Sequence, residues 1–323
     1  MRRAAQILPW LTVLSIVAGG CGGTSPPPSS QPAAAAGRSA PTTLRDWVQD
    51  PHVVAAEQNS PAIRVVCTAP SATEICCALG LRQQIVGRTR FCEYPPGISR
   101  VPVIGAMDET SAELLLGLKP DVVLVAGNSR AIADRLEQLS IRPVSLPDKT
   151  LPDIFAAIRL VGELSARPRT AEQLCGGIER QLASVAERYA AATPRRVLLL
   201  TGTLADPPAP PFVAGPGSLY DDLLRRAGHE NAADQGVRAY APLSLEAIVR
   251  IDPEVIIELD ATGQARPGGD ADAVSAWARL GPLRAVTTGR IHVLTGQQHF
   301  IPGPRVAQTF EALCRKIGGA RDD

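Results

Sequence analysis

Aromatic side chains are scarce: three Trp, four Tyr and five Phe among 323 residues. Where those few rings fall therefore carries more information than usual. Charge of either sign is also lacking in excess, with 33 Lys and Arg against 32 Asp and Glu and a formal net charge of +1. Without a Lys/Arg block there is no concentrated basic face to hold phosphates, which argues against a nucleic-acid surface. No CxxC pair and no zinc spacing occur, which disfavours a metal cluster. GxGxxG, GxxxxGK[ST] and GxSxG are all missing, and Thr201-Gly202-Thr203 reads as a turn only. Nucleotide chemistry and the hydrolase elbow thus lose their usual marks. The four histidines, His52, His229, His292 and His299, are too scattered for a catalytic triad or a three-His metal site.

What is present is ordinary globular composition, 45% hydrophobic, on a length that suggests roughly two domains of about 150 residues. The N-terminus reads as an export signal: Arg2 and Arg3, an apolar run from Ile7 to Val17, then small residues up to Cys21. That run is too short for a comfortable membrane span. Val17-Ala18-Gly19-Gly20-Cys21 resembles a bacterial lipoprotein box, with Ala18 where Leu is usual, and implies lipidation at Cys21; a plainly cleaved secretory peptide is the alternative. Gly22 to Thr43 is Pro, Ala, Ser, Gly and Thr with Arg38 as its only charge, a composition that cannot order itself by burial. It reads as a tether, and Leu44 to Ser60 is ambiguous, with room for a short edge element. The expected location is periplasmic or otherwise extracytoplasmic, held at the membrane by the lipid.

Besides Cys21 there are Cys67, Cys76, Cys77, Cys92, Cys175 and Cys314. In an oxidising compartment Cys92 could pair with Cys76 or Cys77; equally, all could be buried free thiols acting as small hydrophobes.

After the tether, short β-rich apolar runs alternate with helical periodicity, as in parallel α/β construction. In the first half, strands are expected at Ile63–Thr68, Ile85–Gly87, Val101–Ile104, Asp121–Val125 and Val144–Leu146. Ser71-Ala72-Thr73-Glu74 reads as a capping box opening a helix, and Ser111–Leu118 and Ala131–Leu139 read as further helices. In the second half, strands are expected at Arg196–Thr201, Val255–Leu259 and Ile291–Leu294, with helices at Ser218–Ala227, Leu245–Arg250, Val274–Leu280 and Arg305–Ile317. One repeat is sharper than this rhythm. Ser111-Ala112-Glu113-Leu114-Leu115 leads to Leu118-Lys119-Pro120-Asp121-Val122, and Ser244-Leu245-Glu246-Ala247-Ile248 leads to Ile251-Asp252-Pro253-Glu254-Val255. It predicts two lobes built alike, although Glu favours helix starts anyway and a local connection could arise twice. Between the halves, Leu151–Ser165 reads as one helix and Pro168–Ala192 as a second, long one, with Ala171, Leu174, Cys175, Ile178, Leu182 and Val185 at helical spacing. The implied division is 1–20 signal, 21–61 tether and N-terminal segment, 62–167 first lobe, 168–192 linking helix and 193–319 second lobe.

Pro70-Ser71-Ala72-Thr73-Glu74, Gly87, Cys92-Glu93-Tyr94-Pro95-Pro96, Glu113 and Leu118-Lys119-Pro120-Asp121 resemble the substrate-binding proteins of cobalamin, haem and siderophore ABC importers. The second half agrees through Pro211-Phe212-Val213-Ala214-Gly215, Tyr240, Ser244 to Glu246 and Pro302-Gly303-Pro304-Arg305. The likeness covers Ile63 to Ile317 and is nearest the cobalamin-binding group. It implies two Rossmann-like lobes joined by a single long helix, with the ligand in the cleft between them. It implies a monomer that binds without chemistry, whose lobe opening the long helix restrains. Its partners would be a small-molecule ligand and a membrane permease on which Glu113 and Glu246 dock, one acid per lobe.

Ligands of open α/β sheets sit beyond the carboxyl ends of the strands. Loops there carry Phe91, Tyr94, Phe212, Tyr240, His299 and Phe300, and by the resemblance Phe91, Phe212 and Tyr240 fall where aromatic rings meet a corrin. Such a lining suits a large flat ring bearing amides. The family's cleft tryptophans have no counterpart, since Trp10, Trp47 and Trp277 lie elsewhere. His299 stands where a bulky aromatic is expected and could ligate a metal centre or serve as a plain hydrogen-bonding loop residue. The ligand stays open between corrinoid, haem and ferric siderophore, with no resident cofactor or metal expected. An anionic siderophore would want clustered arginines, for which Arg88, Arg90, Arg238 and Arg305 are available, although Arg305 could simply brace its loop. An enzyme of the same fold class and a surface adhesion protein are the competing readings.

Overall fold

Strand segments that are apolar on both faces belong in the middle of a layered α/β structure, where helices cover each side of a parallel sheet. In the computed structural model this gives two sheets. Residues 63–106, 112–127, 134, 136–190, 193–204, 209–233, 236–262 and 268–318 are described. The signal, Cys21, the tether, Leu44–Ser60, Trp10, Trp47, His52 and four of the nine residues of Ala131–Leu139 lie outside them. No helix among the described residues is long and apolar enough to cross a membrane.

The first sheet holds four parallel strands, β1 (Val65–Cys67), β2 (Ile85–Arg88), β3 (Val122–Ala126) and β4 (Pro143–Leu146), in the order β2-β1-β3-β4. The strand expected at Val101–Ile104 is reduced to an isolated bridge between Val103 and Arg88. The second sheet contains β5 (Arg196–Leu200), β6 (Phe212–Ala214), β7 (Glu230–Asn231), β8 (Tyr240–Pro242), β9 (Val255–Asp260) and β10 (Ile291–Thr295). Its order is β10-β9-β5-β6-β8, with β7 also on β5. Here β10, β9 and β5 run parallel, whereas β6 and β8 form an antiparallel ribbon that apolar periodicity does not reveal in three-residue strands.

Alternation along each strand divides the core. Val65, Cys67, Val122, Leu124, Val197, Leu199, Val255 and Ile257 face one continuous cluster shared by both sheets. Val66, Val123 and Val125 face a second cluster outside the first sheet, and Leu198, Leu200 and Ile256 a third outside the second sheet. Two helices carry the shared core across the molecule: α3 (Leu151–Leu164) and α4 (Pro168–Arg188). Thr150 opens α3 with a reciprocal capping box to Asp153, and Pro168 occupies the first turn of α4, where its missing N–H costs nothing. At 1.5 Å per residue α4 spans about 32 Å, four residues short of the expected end. The stripe Ala171, Leu174, Cys175, Ile178, Leu182 and Val185 is buried as its spacing predicts. It packs between α3 and the C-terminal helix α9 (Val306–Gly318), for which the intervening helices are α5 (Leu219–Arg226), α6 (Leu245–Ile251), α7 (Gly269–Ala278) and α8 (Arg284–Thr287).

The first helices are α1 (Pro70–Ala78) and α2 (Ala112–Leu118), and one expectation is corrected at the start of α1. The capping box at Ser71–Glu74 does not form. Pro70 starts α1 two residues earlier than a Ser71 cap would, Ala69 is its N-cap without a side-chain hydrogen bond, and Ser71 and Glu74 are buried inside the helix. The cysteines also resolve: all six among the described residues are buried free thiols. Cys76 faces Cys67, sulfur to sulfur at 3.9 Å, and Cys92 lies against the Thr89 hydroxyl. The neighbouring Cys76 thiol and full burial push Cys67 well above the ordinary thiol range.

The repeat is realised in detail. α2 and α6 each run seven residues and end before a residue with φ 46°, Lys119 and Asp252, followed by proline and then β3 or β9. The acid after each proline accepts a backbone N–H from the neighbouring strand: Arg64 N to Asp121 at 2.7 Å, Arg196 N to Glu254 at 2.9 Å. Each of those arginines turns its guanidinium back onto the preceding helix end, Arg64 to the Leu118 carbonyl and Arg196 to that of Ile251. A chance local connection would not reproduce both halves of this exchange.

Candidate functional site

Four loops at carboxyl ends of parallel strands converge on a cleft of about 530 Å³ between the sheets. After β1 comes Pro70 with Glu74 on α1; after β2, Phe91, Glu93 and Tyr94; after β9, Thr262; after β10, Gly296, Gln297, Gln298, Ile301 and Arg305. Arg88 holds the second loop in shape. Its buried guanidinium donates to the carbonyls of Thr89, Cys92, Ile98 and Ser99, so it braces the Phe91–Tyr94 segment and does not face a ligand.

Arg305 spans the cleft floor. It donates from Nε to Glu74 Oε2 at 3.0 Å and from Nη2 to Oε1 at 2.5 Å, and its guanidinium lies 4.3 Å from the Tyr94 ring centre. Glu74 is wholly buried, and burial raises its carboxyl above the usual range against the opposing pull of Arg305. Arg90 stacks on the exposed Phe91 ring at 5.1 Å. The remaining lining is largely neutral: the hydroxyls of Thr262 and Thr295 and the amides of Gln297 and Gln298.

Of the expected binding residues, Phe91 and Tyr94 line this cleft and the other four do not. Phe212 and Tyr240 project from the same face of the β6–β8 ribbon, 56% and 41% exposed. Tyr240 meets Tyr220 edge-on at 6.4 Å, and burial, with Asp148 and Asp222 nearby, pushes its hydroxyl up to about 12. His299 is buried. Gln298 Nε2 lies 3.3 Å from its Nε2, so that nitrogen accepts, leaving Nδ1 to donate to Thr309 Oγ1 at 3.2 Å. Both ring nitrogens are thereby engaged within the protein, the arrangement of a hydrogen-bonding loop residue. Burial and Arg305 lower its basicity. Phe300 packs on the shared core. The tight 3-10 turn Gln297–Phe300 explains the split, sending the two glutamines to the cleft and the next two side chains inward. Trp277 is fully buried, donating to Glu258 at 2.8 Å. Among the described residues no group of three His, Cys, Asp or Glu side chains could hold a metal ion.

The profile of the periplasmic binding protein family matches residues 65–297. The chain belongs to that family. It is a family of substrate-binding proteins for ABC importers, working outside the cytoplasm, and not of enzymes. Among relatives of this periplasmic binding protein, a vitamin B12-binding protein of Pectobacterium carotovorum subsp. carotovorum is 28% identical over 265 residues, covering 79% of this chain and 88% of the relative. An uncharacterized ABC transporter substrate-binding lipoprotein of Bacillus subtilis, YvrC, is 26% identical over 324 residues, 98% of each. The solved structure of the periplasmic haem-binding protein BhuT in complex with two haems superposes with a TM-score of 0.66 at 28% identity, covering 79% of this chain and 97% of that one. Equal identity to a B12 binder and a haem binder leaves the ligand to be argued from the cleft.

The binding protein also carries the two acids of its repeat in the expected setting. Glu113 and Glu246 sit exposed on the first turns of α2 and α6. The helix-start amide and the Ser244 hydroxyl hold Glu246 below the usual carboxylate range. Exposed apolar side chains stand beside both acids, Leu114 and Leu116 on α2 and Val249 on α6.

Proposed function

We propose that this binding protein captures a corrinoid in the cleft and delivers it to an ABC permease, anchored outside the cytoplasmic membrane through a lipid on Cys21. The observation that carries the ligand class is the state of the one arginine among the described lining residues. Arg305 is committed to Glu74 in a two-point pair, and Glu93 adds a negative charge nearby. Two of the four arginines available to an anion are therefore structural, Arg88 and Arg305. Haem brings two carboxylates and siderophores are commonly anionic, so each would enter a lining whose described arginine is already paired, with Arg90 on the Phe91 ring as the nearest other cation. A corrin offers apolar faces to Phe91 and Tyr94 and neutral amides to the hydroxyl and amide side chains of Thr295, Gln297 and Gln298. Glu113 and Glu246 supply a two-point charged contact to the permease, with the neighbouring leucines and valine as apolar filling.

A thermal-shift panel of cobalamin, cobinamide, haem and a ferric siderophore tests the ligand class. At a hundredfold excess over Kd a ligand of the folded state adds about 2.7 kcal/mol of stability. Cobalamin and cobinamide are expected to raise Tm and the others to leave it unchanged. A shift with haem or siderophore alone would replace the corrinoid reading by one of those.

A further inference from the structure

Arg305 and Glu74 lie 231 residues apart in the chain, on opposite lobes, and both line the cleft. The pair is well made: two parallel N–H to carboxylate bonds, side chains 13% and 1% exposed, and an aromatic ring over the guanidinium. Burying a charge without a partner is costly, so whatever sits opposite Arg305 decides whether the cleft holds a free cation. In this chain that partner is internal.

We infer that Glu74 is the specificity-determining residue of the cleft, acting through Arg305: by supplying the carboxylate that Arg305 requires, it leaves no vacancy for a carboxylate on the ligand. This rests on the corrinoid reading and extends it, because it names the feature that turns away anionic tetrapyrroles. Replacing Glu74 by the isosteric, neutral Gln keeps one oxygen for Arg305 and removes the charge. The guanidinium then presents unpaired donors at the cleft surface, and a ligand propionate can take the place of the lost carboxylate. A charge-assisted hydrogen bond gained in this way corresponds to about ten- to hundredfold in affinity.

The test titrates the purified full-length protein with haem, haem dimethyl ester and dicyanocobinamide, following their visible spectra. Haem and its ester share the ring and differ in the two carboxylates. The unaltered protein is expected to bind haem no tighter than the ester. Glu74→Gln is expected to prefer haem over the ester by ten- to hundredfold, and Glu74→Gln with Arg305→Gln to lose that preference, which separates a freed cation from a loosened cleft. No gain of haem over ester in a folded Glu74→Gln protein overturns the inference while leaving the corrinoid reading intact if cobinamide binds. Should Glu74→Gln fail to fold, the unaltered protein still decides, since a preference for haem over ester above tenfold overturns it and its absence supports it. Failure of the unaltered protein to bind cobinamide overturns the corrinoid reading alone when the variant still acquires the haem preference.

Discussion

Lys119 and Asp252 share a left-handed backbone conformation, φ 46° in each, at the same point of the two lobes. Each closes the helix that carries a repeat acid and hands the chain to a proline and a buried strand. The conformation costs a side-chain-bearing residue about 1 kcal/mol, less for Asp than for Lys. Lys119→Gly is therefore expected to raise stability by up to about 1 kcal/mol. Asp252→Gly is expected to lower it, because Asp252 Oδ1 also accepts the Arg284 N–H at 2.7 Å. Urea unfolding of the two variants checks the contrast, and a gain in both would mean that the Asp252 bond contributes nothing.

The acids six residues earlier, Glu113 and Glu246, belong to the surface. Glu113→Ala combined with Glu246→Ala is expected to abolish uptake by the reconstituted importer while ligand affinity stays the same. Each single substitution should weaken docking only in part, since one charged contact remains. Unchanged transport by the double variant would remove the docking role from these residues.

Alkaline pH should destabilise this protein through its thiols. Burial pushes Cys175 up to about 11 and Cys314 up to about 12, from 9.0. Above about pH 9 the unfolded chain releases these protons and the folded one keeps them, so the unfolded state binds fewer and stability falls as pH rises through that window. Denaturant midpoints at pH 8, 9, 10 and 11 should decline, and Cys175→Ala with Cys314→Ala should flatten the decline.

The repeat, the stripe on α4 and the strands buried on both faces were legible because each is local: a spacing of acid and proline, a helical period, an apolar run. Phe91 and Tyr94 were legible as ring-bearing loops after a strand. Four of the polar lining residues were not. Thr262, Thr295, Gln297 and Gln298 are ordinary loop side chains, and only the rule that ligands collect at strand carboxyl ends points to their neighbourhood. The inward direction of His299 and Phe300 was not legible either, because the 3-10 turn that sends the two preceding glutamines to the cleft leaves no mark in composition.

What the sequence by itself determined is the grammar of two like lobes around a long helix, since periodicity and helix ends depend on neighbours within a few residues. The tertiary structure alone decided the electrical character of the cleft. Four arginines stood available, and only the fold commits Arg88 to loop carbonyls and Arg305 to Glu74. The physical reason is distance along the chain: a pair separated by 231 residues leaves no trace in spacing or composition, and a guanidinium is a ligand site or a brace according to what the folded chain sets opposite it.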